Sequence, residues 1–492
     1  MDPSSGSMPA LWKPVGTSSC GRFRNFPNEE TSAYYVLFLG CVVEEEEEEE
    51  DEGEEGEDEE EEDEDEGEDD EEDDESEDEG VDEELEEPRG GFTKEAGNTT
   101  KYLAAASLTV VVWKFEDPME IQGLMHFLEH MVFMGSEKYP KENAFDYYIK
   151  KHGGHDNAHT EMEHTTFYFE VEENHFYGGL DRFAQFFINP LMKKEAMTRE
   201  RNAVHSEFQM ALPEDASRVQ QLFASLASEG HPMGKFTWGN ETTLNVEIPD
   251  EELHKKLHDL RMRFYSAQNM TLAIQSRHSL DMLQEFVCKI FSEVPNSGIP
   301  RPTYTQYDFP FPTEKLHRLY RVVPMKDYHS VEINWALPSL LNYYHTKPLH
   351  YISHLIGHEG RGSILSYLKK KVWAVGLYSG NDESGFEHNS TYALMSVSVE
   401  LTDEGFKNVD KVLQVVFQYL AMIRDAGPVE RIFNEIEKTE KLNFDYAEEQ
   451  TAVENVENLS ENMQLYPPED YLAGECLLCE YNAEVCCISY FL

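Results

Sequence analysis

Between Glu44 and Glu87 the chain places 37 acidic residues in 44 positions, broken only by four glycines, Ser76, Val81 and Leu85. Like charges repel, and two apolar side chains cannot make a core, so this tract is expected to be disordered. Folding is thereby confined to what flanks it: residues 1–43, and everything beyond about 100. The tract also carries most of the charge, since −58 + 37 leaves −21 for the rest of the chain. Such a chain excludes nucleic acid and anionic membrane as partners and attracts basic polypeptides. With 40% apolar residues overall, the remainder can bury the cores of two or three domains.

Little suggests export or a membrane span. The stretch 33–43 (AYYVLFLGCVV) is apolar but too short to cross a bilayer. Glu29 and Glu30 precede it, where a secretory signal would carry positive charge. It reads as a strand. The seven cysteines are odd in number, and four of them fall at 476–487, a usage expected of reduced thiols. A cytoplasmic protein is expected.

The chemistry begins at His126-Phe127-Leu128-Glu129-His130, which reads H-x-x-E-H. Residues four apart share a helix face, so His126 and His130 can aim two imidazole nitrogens at one Zn²⁺. Glu129 stands beside the second histidine, positioned to take a proton from water that zinc has acidified to a pKa of about 7. The plain alternative is two histidines and an acid on an ordinary helix. The flanks weigh against it: Leu124, Met125, Phe127, Leu128, Met131, Val132 and Phe133 are apolar and bury this helix, with Gly135 as its stop. Buried imidazoles and a buried carboxyl need partners, and a metal supplies one.

A catalytic zinc takes three protein ligands. The run 194–212 (KEAMTRERNAVHSEFQMAL) reads as a helix with Glu200 and Glu207 seven apart on one face. Glu207 could be the third ligand and Glu200 a carboxylate orienting a histidine N–H. In a chain this acidic, both could equally be solvated.

From about 100 the pattern alternates between strands and helices. Strands are expected at 108–113, 164–171 and 270–275, and helices at 175–187, 251–265 and 279–293. Five prolines in 295–313 mark a linker. A second round follows, with strands near 317–323, 330–336, 373–379 and 391–401. Its helices fall near 347–357 and 363–371 and from 403 and 428. The expected fold class is α+β: two homologous sheet-plus-helices domains, 100–294 and 314–492, preceded by segment 1–43 and the acidic tract. The second domain holds its own constellation, His350, His354, Gly357, His358 and Glu359. By spacing, His354 and His358 could begin another metal site.

These motifs resemble those of the inverzincin metallopeptidases of the insulysin (pitrilysin) type. The run GLMHFLEHMVFMGSEKYPKENAFDYYIKKHGGHDNAHT is similar to that family's active-site block, and TRERNAVHSEFQ to its distal zinc-ligand block. Further similarity runs through HPMGKFTWGN, YSAQNMTLAIQS, HYISHLIGHEGRGSILSYLKKK and ENMQLYP, from about 105 to 480. The acidic tract points to the branch of the family that carries one upstream of the zinc motif.

The resemblance implies one Zn²⁺ per chain on His126, His130 and Glu207, with Glu129 as base and Glu200 as a second catalytic carboxylate. It implies substrate binding by Asn157 and Ala158 on an edge strand. It also implies a substrate-anchoring exosite of His350, His354, Gly357 and Glu359 with Leu377 and Gly380, which is favoured over a second metal. The implied activity is zinc endopeptidase cleavage of peptides at basic, especially dibasic, residues. The rival expectation is a half-protease that binds basic peptides or growth-factor-like basic proteins through its acidic tract without turnover.

Family members resemble a clamshell of two halves, of which this chain corresponds to one. A dimer, or a complex with a C-terminal half or a full-length relative, is therefore expected. The chain also departs from the family pattern. Trp113 and Lys114 stand where Gly-Ser is usual, Met125 and Ser379 replace smaller residues, and His155 and His159 replace small or apolar ones. A buried small-to-large change typically costs about 1–3 kcal/mol.

Overall fold

The structure is a computed structural model. It describes residues 34–40 and 102–488, apart from 113, 245–247, 303, 305–306, 308, 312–313, 383, 477 and 479. The acidic tract, Trp113 and Cys479 thus lie outside the described residues.

The described chain opens with strand β1 (Tyr34–Gly40) and resumes with β2 (Leu103–Val110), α1 (Leu124–Val132), α2 (Ala144–Lys151), β3 (His155–Thr160) and β4 (Thr165–Glu172). Next come α3 (Phe176–Ile188), α4 (Met197–Ala211), α5 (Asp215–Ala224), the short α6 (Glu241–Leu244), α7 (Asp250–Phe264), β5 (Met270–Gln275) and α8 (Leu280–Phe291). Strands β2 to β5 form an antiparallel sheet in the order β3-β4-β2-β5, which leaves β3 at an edge.

Alternation decides the two faces of this sheet. Ala104, Ala106, Leu108 and Val110 of β2, with Phe167, Phe169 and Val171 of β4, enter an apolar core with α1 and the phenylalanine-rich α3. The opposite face carries Ala105, Ser107, Thr109 and Tyr168.

The second round runs β6 (Arg318–Val322), β7 (His329–Pro338), α9 (Pro348–Gly357), α10 (Ile364–Lys370), β8 (Ala374–Gly380) and β9 (Tyr392–Leu401). It continues with α11 (Asp403–Phe406), α12 (Val409–Ala426), α13 (Glu430–Asp445), α14 (Ala452–Leu465) and α15 (Ala483–Ile488). Its five-stranded sheet has the order β6-β1-β7-β9-β8. Val331, Ile333, Trp335 and Leu337 of β7 bury their side chains with α9, α10 and α12.

Two placements were not legible in the pattern. Strand β1, expected as a strand, lies in the second sheet, antiparallel to β6 and parallel to β7, although the tract and the whole first sheet intervene in sequence. Helix α14 falls in the span 314–492 but packs on the first sheet. There Val453 and Val456 join Ala105 and Ala273. The hydroxyl of Ser460 bonds Ser107 and Thr109, each at 2.8 Å. A helix whose exposed-sheet partners are Ser, Thr and Ala shows only weak apolar periodicity, so its partner could not be read from spacing. A third apolar cluster joins Val111 and Phe115 to Phe223, Phe311, Tyr392 and Leu394, and so fastens the two rounds together.

Among the described residues no helix is long and apolar enough to cross a membrane.

Candidate active site

Helix α1 starts abruptly because Gly123 adopts φ +91°, where a side chain would collide with the backbone of Gly239. This close approach presses the segment after Phe236 onto the helix. The carbonyl of Trp238 thereby meets Nδ1 of His126 at 2.6 Å. A carbonyl only accepts, so Nδ1 is the donor. The Met125 side chain, expected to crowd this turn, is fully buried in the apolar core beside it.

One turn on, His130 lies alongside, its ring centre 5.1 Å from that of His126. Helix α4 faces α1 and brings up both of its glutamates. Glu207 bridges the two rings, with Oε2 at 3.2 Å from His126 Nε2 and Oε1 at 3.4 Å from His130 Nε2. Glu200, buried, approaches His130 Nδ1 at 3.6 Å and is held by Arg199 at 3.1 Å.

The electrostatics follow from this crowding of acids. Burial draws the imidazole of His130 down, but Glu200, Glu207 and Glu129 outweigh it and push it up to about 10. The contacts with His126 and then His130 hold Glu207 well below the usual carboxylate range against its burial. Burial raises Glu200, yet His130 and Arg199 more than offset it, and its carboxyl lies below its ordinary value.

Glu129 is buried between α1 and β3 and accepts a hydrogen bond from the hydroxyl of Thr160. His126, Glu129 and His130 form a tight group able to hold a metal ion. These residues line a cleft of about 690 Å³ whose walls also include Lys114, Trp238, Asp382 and Phe386. Burial lowers the pKa of Lys114, opposed by Glu161, Glu129 and Asp117.

Strand β3 forms one rim of the cleft. Asp156, Ala158 and Thr160 alternate toward α1, whereas Asn157 and His159 lie on the other side of the strand. The Asn157 side chain reaches the hydroxyl of Tyr168 at 3.4 Å. Being an edge, β3 leaves backbone N–H and C=O groups unpaired beside the cleft.

The residues His350, His354 and Gly357 lie along α9, next to the edge strand β8 with Leu377, Ser379 and Gly380. A side chain at Gly357 would begin 3.9 Å from Ser379, and His350 Nε2 lies 3.1 Å from Glu440. Glu359 follows in the loop and pairs with Lys369 at 3.8 Å. None of these residues lines the cleft. Among the described residues, His354 and His358 acquire no third metal ligand.

Sequence reasoning missed Thr160 and the carbonyl of Trp238. Neither has a spacing signal, because a strand hydroxyl and a backbone oxygen reach the site only through tertiary structure.

Three domain descriptions of a single family tile the sequence. Residues 96–240 match the insulinase domain of peptidase family M16, 253–439 the M16 inactive domain and 444–488 the middle or third domain of peptidase M16. The chain belongs to the M16 peptidase family. It is of the nardilysin and insulysin type within that metallopeptidase family. It is 53% identical to nardilysin of Homo sapiens over 389 residues, 79% of this chain and 34% of that protein. It is 43% identical to a nardilysin-like protein of Arabidopsis thaliana, over 76% of this chain and 36% of that one. Against human insulin-degrading enzyme the identity is 37%, over 78% of this chain and 37% of the relative. The chain thus spans about a third of the length of the curated relatives it matches.

Among solved structures, pitrilysin superposes with a TM-score of 0.73 at 30% identity, over 80% of this chain and 41% of that one. A protease from Helicobacter pylori superposes at 0.60 and 16% identity, over 80% of this chain and 90% of that one, which shows a shared fold alone.

Proposed function

We propose that this chain is a zinc metalloendopeptidase of the nardilysin type, cleaving peptides at basic and especially dibasic residues. The observation that carries the proposal is the carboxylate of Glu207 shared between Nε2 of His126 and Nε2 of His130, with Glu129 beside them. Because Nδ1 of His126 donates to Trp238, its Nε2 and the Glu207 oxygen 3.2 Å away need a proton or a metal cation between them. Donors sharing a tetrahedral zinc at about 2.0–2.2 Å lie about 3.3–3.6 Å apart, close to the spacings of this group. The donor set, two imidazoles and a carboxylate, is one that zinc takes in hydrolytic sites. His126, His130 and Glu207 would hold one ion, and Glu200 would steady His130 through its other nitrogen.

A bound zinc supplies Lewis acidity, which polarises a scissile carbonyl and acidifies water. Glu129 takes the proton from the attacking water and returns it to the leaving amine. The Thr160 hydroxyl fixes the carboxylate in the orientation that this transfer needs. The open edge of β3 pairs with an extended peptide, so that backbone groups at Asn157 and Ala158 align the substrate.

The preference for basic residues rests on the acids that line the cleft beyond the zinc group: Asp146, Asp156, Glu161 and Asp382. Asp156 projects from the cleft face of β3. Its Oδ1 is buried without a hydrogen bond, and burial together with Asp146 pushes the carboxyl up to about 6. A substrate lysine or arginine beside the carboxyl would relieve the repulsion from Asp146. The exosite on α9 and β8 would anchor the substrate away from the cleft.

A fluorogenic dibasic peptide tests the proposal. Cleavage abolished by chelator, restored by zinc and lost in Glu129→Gln is expected. Cleavage indifferent to chelator, or unchanged in Glu129→Gln, would refute it.

A further inference from the structure

We infer that the chain holds a second transition-metal site, of the Zn²⁺ class, formed by His159, His164 and Glu461. His159 ends the outer face of β3, His164 ends the turn that leads into β4, and Glu461 comes from α14 across the sheet. One oxygen of Glu461 gathers the group: it lies 3.0 Å from Nε2 of His159 and 3.4 Å from Nε2 of His164. The three donor atoms fall within 4.8 Å of one another, as a metal would require. Zinc donors spaced about 3.3–3.6 Å apart match the two Glu461 contacts to within a few tenths of an ångström.

The surroundings are those of a built site. Nε2 of His164 is buried and faces the Glu461 oxygen at 3.4 Å without the geometry of a hydrogen bond. Nδ1 of His159, on the far side of its ring, lies 3.5 Å from Glu457, one turn before Glu461 on α14. Such a carboxylate behind an imidazole fixes the tautomer that leaves Nε2 free for a metal. The hydroxyl of Thr166 donates to the Glu461 oxygen at 2.8 Å and orients the carboxylate. His159 also lines the cleft, which gives an ion a path from solvent. Two imidazoles and a carboxylate suit zinc or cobalt over calcium or magnesium, which prefer all-oxygen sets.

An ion here does not take part in peptide hydrolysis through Glu129, whose side chain lies on the other face of β3. It clamps the β3–β4 hairpin to α14. The hairpin forms the rim of the cleft, so the clamp fixes the edge strand from behind while Thr160 ties it to Glu129 in front. This site stands independently of the proposed hydrolysis, since its ligands are distinct from His126, His130 and Glu207.

The test uses the full chain, stripped with chelator, dialysed against a defined concentration of free Zn²⁺ or Co²⁺, and assayed for bound metal by elemental analysis and cobalt absorption. Two equivalents are expected in the unsubstituted protein and one in His159→Ser/His164→Arg. One equivalent is also expected in His126→Ala/His130→Ala, where only the second site remains. Binding of a single equivalent by the unsubstituted protein together with none by His126→Ala/His130→Ala overturns the inference. So does retention of two equivalents by a folded His159→Ser/His164→Arg protein. Should that double variant fail to fold, Glu461→Gln gives the same reading, and the count in His126→Ala/His130→Ala decides by itself.

Discussion

The carboxylate of Asp117 accepts the backbone N–H of Gly123 at 2.6 Å and that of Met125 at 2.8 Å, and so caps the helix that presents His126 and His130. The capping residue lies six positions before Gly123, which stands at the N-cap and has no side chain to do it. Lys235 in turn donates to the carbonyl oxygens of Phe115 and Asp117. The orientation of both imidazoles therefore depends on a buried acid that is neither ligand nor base.

Replacing Asp117 should expose this dependence through pH. Burial, only partly offset by the two backbone bonds and Lys235, pushes its carboxyl up to about 7. The folded value lies above the unfolded one, about 3.9. Its contribution to stability is complete below about pH 4 and declines as pH rises through about 7. In urea melts of the zinc-free protein between pH 4 and 8, the difference between unsubstituted protein and Asp117→Asn should shrink with rising pH. Asp117→Ala should cost about 1–2 kcal/mol as a lost cap. A difference that stays constant across the range would contradict the assignment.

Glu207→Gln should abolish retention of zinc on the His126–His130 pair, because an amide replaces the shared charge. Glu129→Gln should keep that zinc and lose about 10²–10⁴-fold in turnover, the usual worth of a positioned base. Metal content of the two purified variants, compared with their peptidase rates, separates ligand from base.

Thr160→Val keeps the volume and removes the hydroxyl that Glu129 accepts. A hydrogen bond to a charged group is worth about 1.5–3 kcal/mol, so turnover should fall about tenfold or more with metal content unchanged. A normal rate would place the orientation of Glu129 elsewhere.

Asp156→Asn should weaken binding of dibasic peptides. KM for a dibasic substrate should rise while that for a neutral analogue stays level, since only the basic side chain meets the lost charge. Equal changes for both substrates would remove Asp156 from substrate selection.

Ser460→Ala tests the seat of α14. The Ser460 hydroxyl donates to Glu457 and receives Ser107 and Thr109 inside the sheet interface. Thr109 keeps Thr166 at 3.0 Å, but leaving the buried Ser107 hydroxyl without Ser460 should cost about 1–3 kcal/mol, measured by chemical denaturation, with little effect on residues 374–401.

How much of this was legible depended on whether a feature is local. The strands at 270–275, 318–322 and 392–401 and the helices α3, α7 and α8 follow directly from periodicity in short windows. So does the shared face of His126 and His130, because helical spacing alone puts them together. The distance between Glu207 and those histidines was reachable only through resemblance, since no local rule brings α4 against α1. The short β3, with its His-Asp-Asn-Ala-His-Thr run, carries no strand signature at all. It is a strand because β4 beside it supplies the apolar half of the hairpin. The positions of β1 and α14 were illegible for the same reason: each finds its partner hundreds of residues away or across another domain.

The pairing of β1 has a consequence for proteolysis. The only covalent link between β1 and β2 is the stretch that contains the acidic run. Strand β1 is hydrogen-bonded along both edges, to β6 and to β7. A protease that cuts within 44–87 would therefore make two polypeptides that stay together: under denaturing electrophoresis the nicked protein would resolve into two bands, while under native conditions it would migrate as one species, its smaller fragment retained as an inner strand of the second sheet.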